Sequence, residues 1–354
     1  MKKLFRILLL IVNVGVALLL LASTLAGFVP PSKFQWISVL SYGYFLLLLA
    51  NILMAVMWLC FARKECLVSV AAIVLRFTFL PLFVQLGGSE EAAEDPEANH
   101  LTVLDMNVHM FMGPCDSASY KDTNAQLFVD MLHEEQPDVL VMQEFYVPNK
   151  FHLNDSLRAL GYKHSYGPDR GSNGVPRGVA VYSKYPISYV QNIDKHRKFF
   201  VDITKQESIV RLVCVHLDSY ELTTDNHREL LSATFETMDS TVKPVVKKLQ
   251  ETTKAHESEW NDELSEVIES SSRPIIMCGD FNDTPASYIY QKIKRHLKDC
   301  YVEQGQGFST TYHGLFPNYR IDYIFHSESL KALSYKRIKN DISDHYAIKA
   351  TLEL

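Results

Sequence analysis

Two stretches without a single charge constrain this chain more than anything else in it. Ile7 to Phe28 and Phe34 to Ala62 contain no Asp, Glu, Lys or Arg. Each exceeds the roughly 20 apolar residues that a helix needs to cross a bilayer. A cleaved signal peptide is the rival reading of the first run, and a second long run so close behind it argues against that. A third apolar segment, Cys66 to Leu86, has Arg76 at its centre. A charge at mid-membrane costs on the order of 3 kcal/mol on insertion scales, so this segment reads either as a third span or as a helix lying on the surface. Lys2, Lys3 and Arg6 precede the first run, and Arg63 and Lys64 follow the second. The positive-inside rule puts both groups in the cytoplasm. The acidic stretch "GGSEEAAEDPEANH" after Leu86 has nothing to hold it there. We therefore expect residues 1–86 to be an anchor of two to three transmembrane helices, with three favoured. Residues 87–100 then form an acidic linker, and 101–354 a catalytic domain outside the cytoplasm, as in an integral protein of a bacterial inner membrane.

Charge narrows the partners of that domain. Seven of the 35 basic and six of the 41 acidic residues lie in the first hundred positions, which leaves 28 and 35 beyond them, a net of −7. Proteins that bind long nucleic acids without sequence preference usually carry a basic stripe; the nearest thing here is the short "DKHRKFF", Asp194 to Phe200. The six cysteines show no metal-type spacing, and Cys214 and Cys278 sit inside strand-like runs as small core residues.

From Leu101 onward, short β-type runs end repeatedly in polar residues: "LTVLDMN", "DVLVMQE", "GVAVYSK", "RLVCVHLD", "PIIMCGDFN", "RIDYIFHS" and "YAIKATLEL". Nearly continuous apolar runs are expected of strands covered on both faces. A helix is expected before Pro137, capped by Asp122 or Thr123, and another from Pro285 to Leu297. These elements predict two packed sheets with helices on their outer faces. An insertion from about Thr223 to Ser272, rich in Glu, Lys, Thr and Ser, reads as a pair of solvated helices; a lid or a partner-binding arm is the sharper alternative.

The strand tips carry Asn107, Glu144, His216, Asp218, Asp280, Asn282, Asp322, Asp344 and His345. One polar residue at a strand end is a turn or cap, but nine beside apolar runs suggest a common cleft. The types suit hydrolysis of a phosphate ester. Carboxylates and an amide oxygen bind a hard cation, Mg²⁺ or alternatively Mn²⁺. A His oriented by an Asp holds or moves a proton, and a further carboxylate activates water.

"GDFNDTP", "DISDHYAI", "VMQE" and "RIDYIF", in their places along the chain, resemble the endonuclease/exonuclease/phosphatase superfamily. It includes deoxyribonuclease I, neutral sphingomyelinases and inositol polyphosphate 5-phosphatases. The likeness spans Leu101 to Leu354, about seven-tenths of the chain, and implies a four-layered α/β sandwich. It further implies that Glu144 is the main metal carboxylate, with Asn107 and Asp344 near the metal. Asp280 and Asn282 match the pair that activates and orients water, His216 and His345 match histidines placed against the phosphate, and Asp322 resembles the residue that supports His345. Arg177 is a weaker candidate for substrate contact. Asp218 and Asp283 are expected in turns or behind the site residues, Asp283 because the alternation of an extended chain points it away from the side shared by Asp280 and Asn282. Arg320 is expected in a salt bridge, on the substrate, or in neither. The expected activity is metal-dependent hydrolysis of a phosphodiester or phosphomonoester: a lipid headgroup, a nucleotide or a nucleic acid. A nuclease retained at the membrane and a catalytically silent binding module are the alternatives. No protein partner is implied.

Overall fold

All seven β-type runs form strands in the computed structural model, which describes residues 2–61, 63–91, 99–114, 116–146, 152–167, 178–194, 197–220, 238–314 and 318–354. Arg177 and the insertion residues 221–237 lie outside the described residues. By contacts the chain forms two units, one of Met1–Phe83, Ser219–Asn261 and Asp283–Ile293, the other of Val84–Asp218, Asp262–Asn282 and Lys294–Leu354.

The second unit holds twelve principal strands: β1 (His100–Asn107), β2 (Val139–Phe145), β3 (His164–Tyr166), β4 (Gly178–Ser183), β5 (Ile187–Asp194), β6 (Lys198–Lys205), β7 (Ser208–His216), β8 (Ile275–Asp280), β9 (Lys298–Asp299), β10 (Asp322–His326), β11 (Lys331–Ile338) and β12 (Ala347–Glu353). One six-stranded sheet runs β11-β12-β1-β2-β4-β3 and the other β9-β10-β8-β7-β6-β5. Each has a single parallel pair at its centre, β1 with β2 and β7 with β8. Successive side chains of a strand point to opposite faces. Leu101, Val103, Val139 and Val141 accordingly meet Val201, Leu212, Cys214 and Cys278 in the core between the sheets. Leu104, Met106, Leu140 and Met142 pack outward with Phe128 and Leu132 of the helix Lys121–Glu135. That helix begins before the expected cap, after Tyr120, and ends in a left-handed Gln136 just ahead of Pro137.

Parallel pairing decides where the polar tips go. Asn107 is opposite Gln143 at the end of β1 and β2, and His216 opposite Asp280 at the end of β7 and β8. Antiparallel β10 starts at the same edge, with Asp322 paired to Asp280. Gly279 has φ +147, and a Cβ there would lie 1.9 Å from the Val215 carbonyl oxygen. Only glycine lets β8 press this closely on β7.

In the first unit, Lys3–Leu25 and Gln35–Cys60 are long and apolar enough to cross a membrane, and the apolar helix Cys66–Leu82 is shorter. The third segment begins beside the start of the first helix, where Arg6 pairs with Glu65 and Asn13 donates to the Glu65 carbonyl at 3.1 Å. It ends beside Tyr44, whose ring stacks on Phe83 at 4.9 Å and whose hydroxyl reaches the Arg76 carbonyl at 3.4 Å. Arg76 is thus near one end of this bundle rather than at its centre. Asn51, fully buried, donates to the carbonyls of Val16 and Leu47.

The insertion departs from the expected solvated pair. Its helix Met238–Glu259 buries Thr252, Thr253, His256, Glu257 and Glu259 within the first unit. Glu257 accepts the Ser32 amide at 2.7 Å and the Ser32 hydroxyl at 2.8 Å, and Thr253 pairs with Ser38 at 2.9 Å. The buried face consists of Thr, His and Glu, so no apolar period announced it. The helix expected from Pro285 shortens to Tyr288–Ile293, after a turn in which Ser287 donates to the Thr284 carbonyl.

Candidate active site

Asp280 is the hub of the polar edge. It is buried, and its Oδ1 accepts the backbone N–H of Asn282 at 2.8 Å while its Oδ2 accepts the Asn107 amide at 3.0 Å. Two imidazoles face the same Oδ2, His216 Nε2 at 3.8 Å and His345 Nε2 at 3.9 Å. Those separations are too long for hydrogen bonds and leave two ring nitrogens and a carboxylate oxygen converging on one small space. Behind His345, both oxygens of Asp322 lie 3.0–3.1 Å from Nδ1. Asp322 is fixed in turn, its own N–H bonded to Thr311 Oγ1 at 3.1 Å. Tyr312 closes the other side of the imidazole, edge-on at 5.2 Å.

The metal-side candidates sit around Asn107. Glu144 Oε1 is 3.4 Å from the Asn107 amide nitrogen, whose Oδ1 accepts the His109 N–H at 3.0 Å. His109 Nδ1 lies 3.3 Å from Asp344 Oδ1. Ser343 ties the last segment in, donating from Oγ to the Asn107 carbonyl at 2.7 Å and accepting the His345 N–H at 3.2 Å.

Backbone strain gathers at these positions. Glu144, Asn282 and the run His109–Met110–Phe111 all have positive φ, between 43° and 60°. Non-glycine residues are held there at a cost of about 1–3 kcal/mol each, and only where surrounding structure over-determines them. The left-handed Asn282 also ends the simple alternation expected beyond Asp280: its side-chain amide turns back to donate to the Leu217 carbonyl at 3.1 Å.

Burial and charge set the protonation states. Burial, then repulsion from Asp322, push the Asp280 carboxyl up to about 7. Burial pulls the His345 imidazole down, but the negative Asp322 and Asp280 outweigh it and hold that ring well above its usual range. His216 has the opposite balance, and burial lowers it to about 4. At neutral pH the site therefore holds one cationic and one neutral imidazole.

The match to the endonuclease/exonuclease/phosphatase family runs over residues 107–345, from Asn107 to His345. The chain belongs to that family. Residues 3–83 match a separate family described only as a domain of unknown function. No curated protein matches. Among solved structures, an endonuclease/exonuclease/phosphatase family protein from Leptotrichia buccalis is 17% identical over 72% of this chain and 100% of its own, with a TM-score of 0.47. Humanized D. rerio TDP2 is 17% identical over 72% of this chain and 99% of its own, at 0.50. ANGEL2, a 2′,3′-cyclic phosphatase, is 16% identical over 76% and 98%, at 0.48. At such identities the likeness is one of fold.

Members of this family act with a divalent metal, and the donors here suit one. Four carboxylates, Glu144, Asp280, Asp322 and Asp344, share the edge, and repulsion from Asp322 already raises Asp280. Uncompensated negative charge of this kind is what a divalent cation relieves. Donor atoms of Asp280, Asp322 and His345 fall within 4.8 Å of one another. Because His345 Nδ1 is bonded to Asp322, however, that trio suits a held proton better than an ion. Oxygen donors suit Mg²⁺, and Glu144 and Asp344 offer them.

Several residues of the site carried no sequence signal. Asp105, one step below Asn107 on β1, and Gln143, opposite Asn107 on β2, lie on the faces between the sheets, joined at 2.7 Å. Burial and the charge of Asp322 raise the Asp105 carboxyl well above its usual range. His109, Thr311, Tyr312 and Ser343 were also missed, because each is a loop residue made relevant only by the folded edge. Asp218 pairs with Arg197, whose Nε donates to the His216 carbonyl at 3.1 Å. Arg320 is structural: it forks onto Asp299 at 2.5 and 2.7 Å between the rings of Tyr301 and Tyr323.

Proposed function

We propose that this family member is a membrane-anchored, metal-dependent phosphoesterase in which Asp280 activates water and His345 meets the scissile phosphate. The observation that carries this reading is the convergence of Asp280 Oδ2, His216 Nε2 and His345 Nε2, with Asp322 behind His345. Asp280, with a carboxyl near 7, takes a proton from water efficiently at neutral pH. Asn282 and Asn107 fix that carboxylate through the bonds it accepts. His345, kept cationic by Asp322, donates from Nε2 to a phosphate oxygen, and neutral His216 supplies a second ring nitrogen beside it. Glu144 and Asp344, with Asn107, would hold a Mg²⁺ or Mn²⁺ ion, which when bound neutralises charge on the phosphate and the leaving oxygen.

The three helical segments of the first unit support three membrane spans. Arg6, Arg63 and Lys64 belong to one end, and Tyr44, Arg76 and Phe83 to the other. The helix Met238–Glu259 packs against Ser32, in the connection between the first two helices, and Ser38, in the first turn of the second, and so away from the basic end. With the basic end cytoplasmic, the domain that follows lies outside the cytoplasm, in an inner membrane of bacterial type. A reporter active only outside the cytoplasm, fused after Glu97, is expected to be active; silence there would move the domain inside.

The net −7 beyond position 100 and the anchor favour a phosphate ester presented at a bilayer over a long nucleic acid. Full-length protein in lipid nanodiscs, supplied with Mg²⁺ or Mn²⁺, would be offered headgroup phosphodiesters, inositol phosphates, nucleotides, DNA and RNA. Turnover of the headgroup esters above the rest is expected. Preference for DNA or RNA would make the protein a membrane-held nuclease, and inertness across the whole set would leave the silent binding module.

A further inference from the structure

We propose that Tyr42 and His256 are positioning residues for this reaction: they fix Asp283, and through the adjoining peptide the Asp280–Asn282 turn. The inference rests on the assignment of Asp280 above. Asp283 is 2% exposed and is held from four sides. Tyr42 donates its hydroxyl to Oδ1 at 2.5 Å, His256 Nδ1 lies 3.1 Å from Oδ2, the Thr284 N–H donates to Oδ1 at 2.9 Å, and the Ser287 hydroxyl bonds to it as well. Tyr220 packs edge-on against both Tyr42 and His256. Three distant parts of the chain therefore converge on one carboxylate: the 3₁₀ turn Ser41–Gly43 within Gln35–Cys60, the insertion helix Met238–Glu259, and the segment after Asn282.

A buried carboxylate is costly even when paired, and apolar replacements of such networks are often neutral or stabilising. Packing alone does not explain this one. Its place in the chain does. Asn282 occupies a left-handed conformation that neighbours must enforce. On its N-terminal side Asp280 accepts its N–H, and the Leu217 carbonyl accepts its side-chain amide. On its C-terminal side the next residue is Asp283. Loosening Asp283 frees one end of the turn that aims Asp280, and misplacement by about 1 Å in an active site can cost ~100-fold in rate.

The test uses full-length protein in nanodiscs and compares wild type with Tyr42→Phe, His256→Leu and His256→Asn. Asn keeps a donor near the place of Nδ1. We expect Tyr42→Phe and His256→Leu to lower kcat by ~10- to 100-fold with KM changed less than about twofold, and His256→Asn to recover most of the loss. Amide exchange in a peptide spanning Asp280 to Thr284 should quicken in the two damaging variants, while exchange in β1 and β2 stays at the wild-type rate. That second readout decides the matter even if wild type turns over none of the substrates, an outcome that would sink the proposed reaction instead. Unchanged exchange in the peptide, or kcat within about twofold of wild type in both damaging variants, would overturn the positioning role.

Discussion

Asp280→Asn is expected to abolish hydrolysis and at the same time to make the protein more resistant to heat. The loss should be ~1,000-fold or more in kcat, because the substitution removes the proposed base together with the charge that two imidazoles and the Asn107 amide face. The gain in stability follows from linkage. A carboxyl held at about 7 in the folded chain and near 3.9 when unfolded binds its proton more tightly in the native state. Folding is therefore not penalised below the unfolded value. The penalty grows as pH climbs from about 4 to 7 and is constant above that. At pH 8 the buried carboxylate costs on the order of a few kcal/mol, which an amide of the same shape does not incur. Melting curves in chelator at pH 5 and pH 8 should show the variant gaining several degrees at the higher pH and much less at the lower. An equal gain at both, or a variant that still turns over substrate, would remove Asp280 from its role. Such an exchange of stability for activity is common where a site needs a strained or uncompensated group.

Much of this architecture could be read from residue order, and the parts that could not share a physical cause. Strands such as "DVLVMQE" and "PIIMCGDFN" were legible because both faces are covered, so their apolar runs are nearly continuous. Strands β3, β5, β6, β9 and β11 are absent from that reading. Ser188, Gln191 and Asn192 of β5 and Lys331, Lys336 and Arg337 of β11 break any apolar run at the sheet edges. Strands β3 and β9 are only three and two residues long, and in β6 Lys198, Asp202 and Lys205 interrupt the run. The tips Asn107, Glu144, His216, Asp280, Asp322 and His345 stood out because carboxylates, amides and imidazoles next to apolar runs are rare. What brings them together is two parallel pairings, β1 with β2 and β7 with β8, which the sequence does not announce. Asp105 and Gln143 were hidden for the opposite reason: each sits inside an apolar run, where one polar residue looks like noise. Asp283 was set aside on the strict alternation of an extended chain, and the left-handed Asn282 breaks that alternation. The docking of the insertion helix was illegible because its buried face is polar, made of hydrogen bonds to Ser32 and Ser38.

Removal of divalent metal should have an effect as large as the loss of Asp280, by a different route. Glu144, Asp280, Asp322 and Asp344 give the edge more negative charge than His345 can balance, and a phosphate ester brings still more. Without a cation the substrate meets repulsion on the carboxylate side, so the rate should fall to background in chelator. It should return with Mg²⁺ or Mn²⁺, and Glu144→Gln should require much higher metal concentrations for the same recovery. Isotope labelling distinguishes attack on phosphorus by water activated at Asp280 from cleavage on the alcohol side. Full-length protein in nanodiscs would hydrolyse its best phosphate ester in ¹⁸O-enriched water, with metal and with chelator. The expected result is metal-dependent turnover that places one ¹⁸O atom on the phosphate product and none on the released alcohol. Label in the alcohol, or turnover indifferent to chelator, would contradict it.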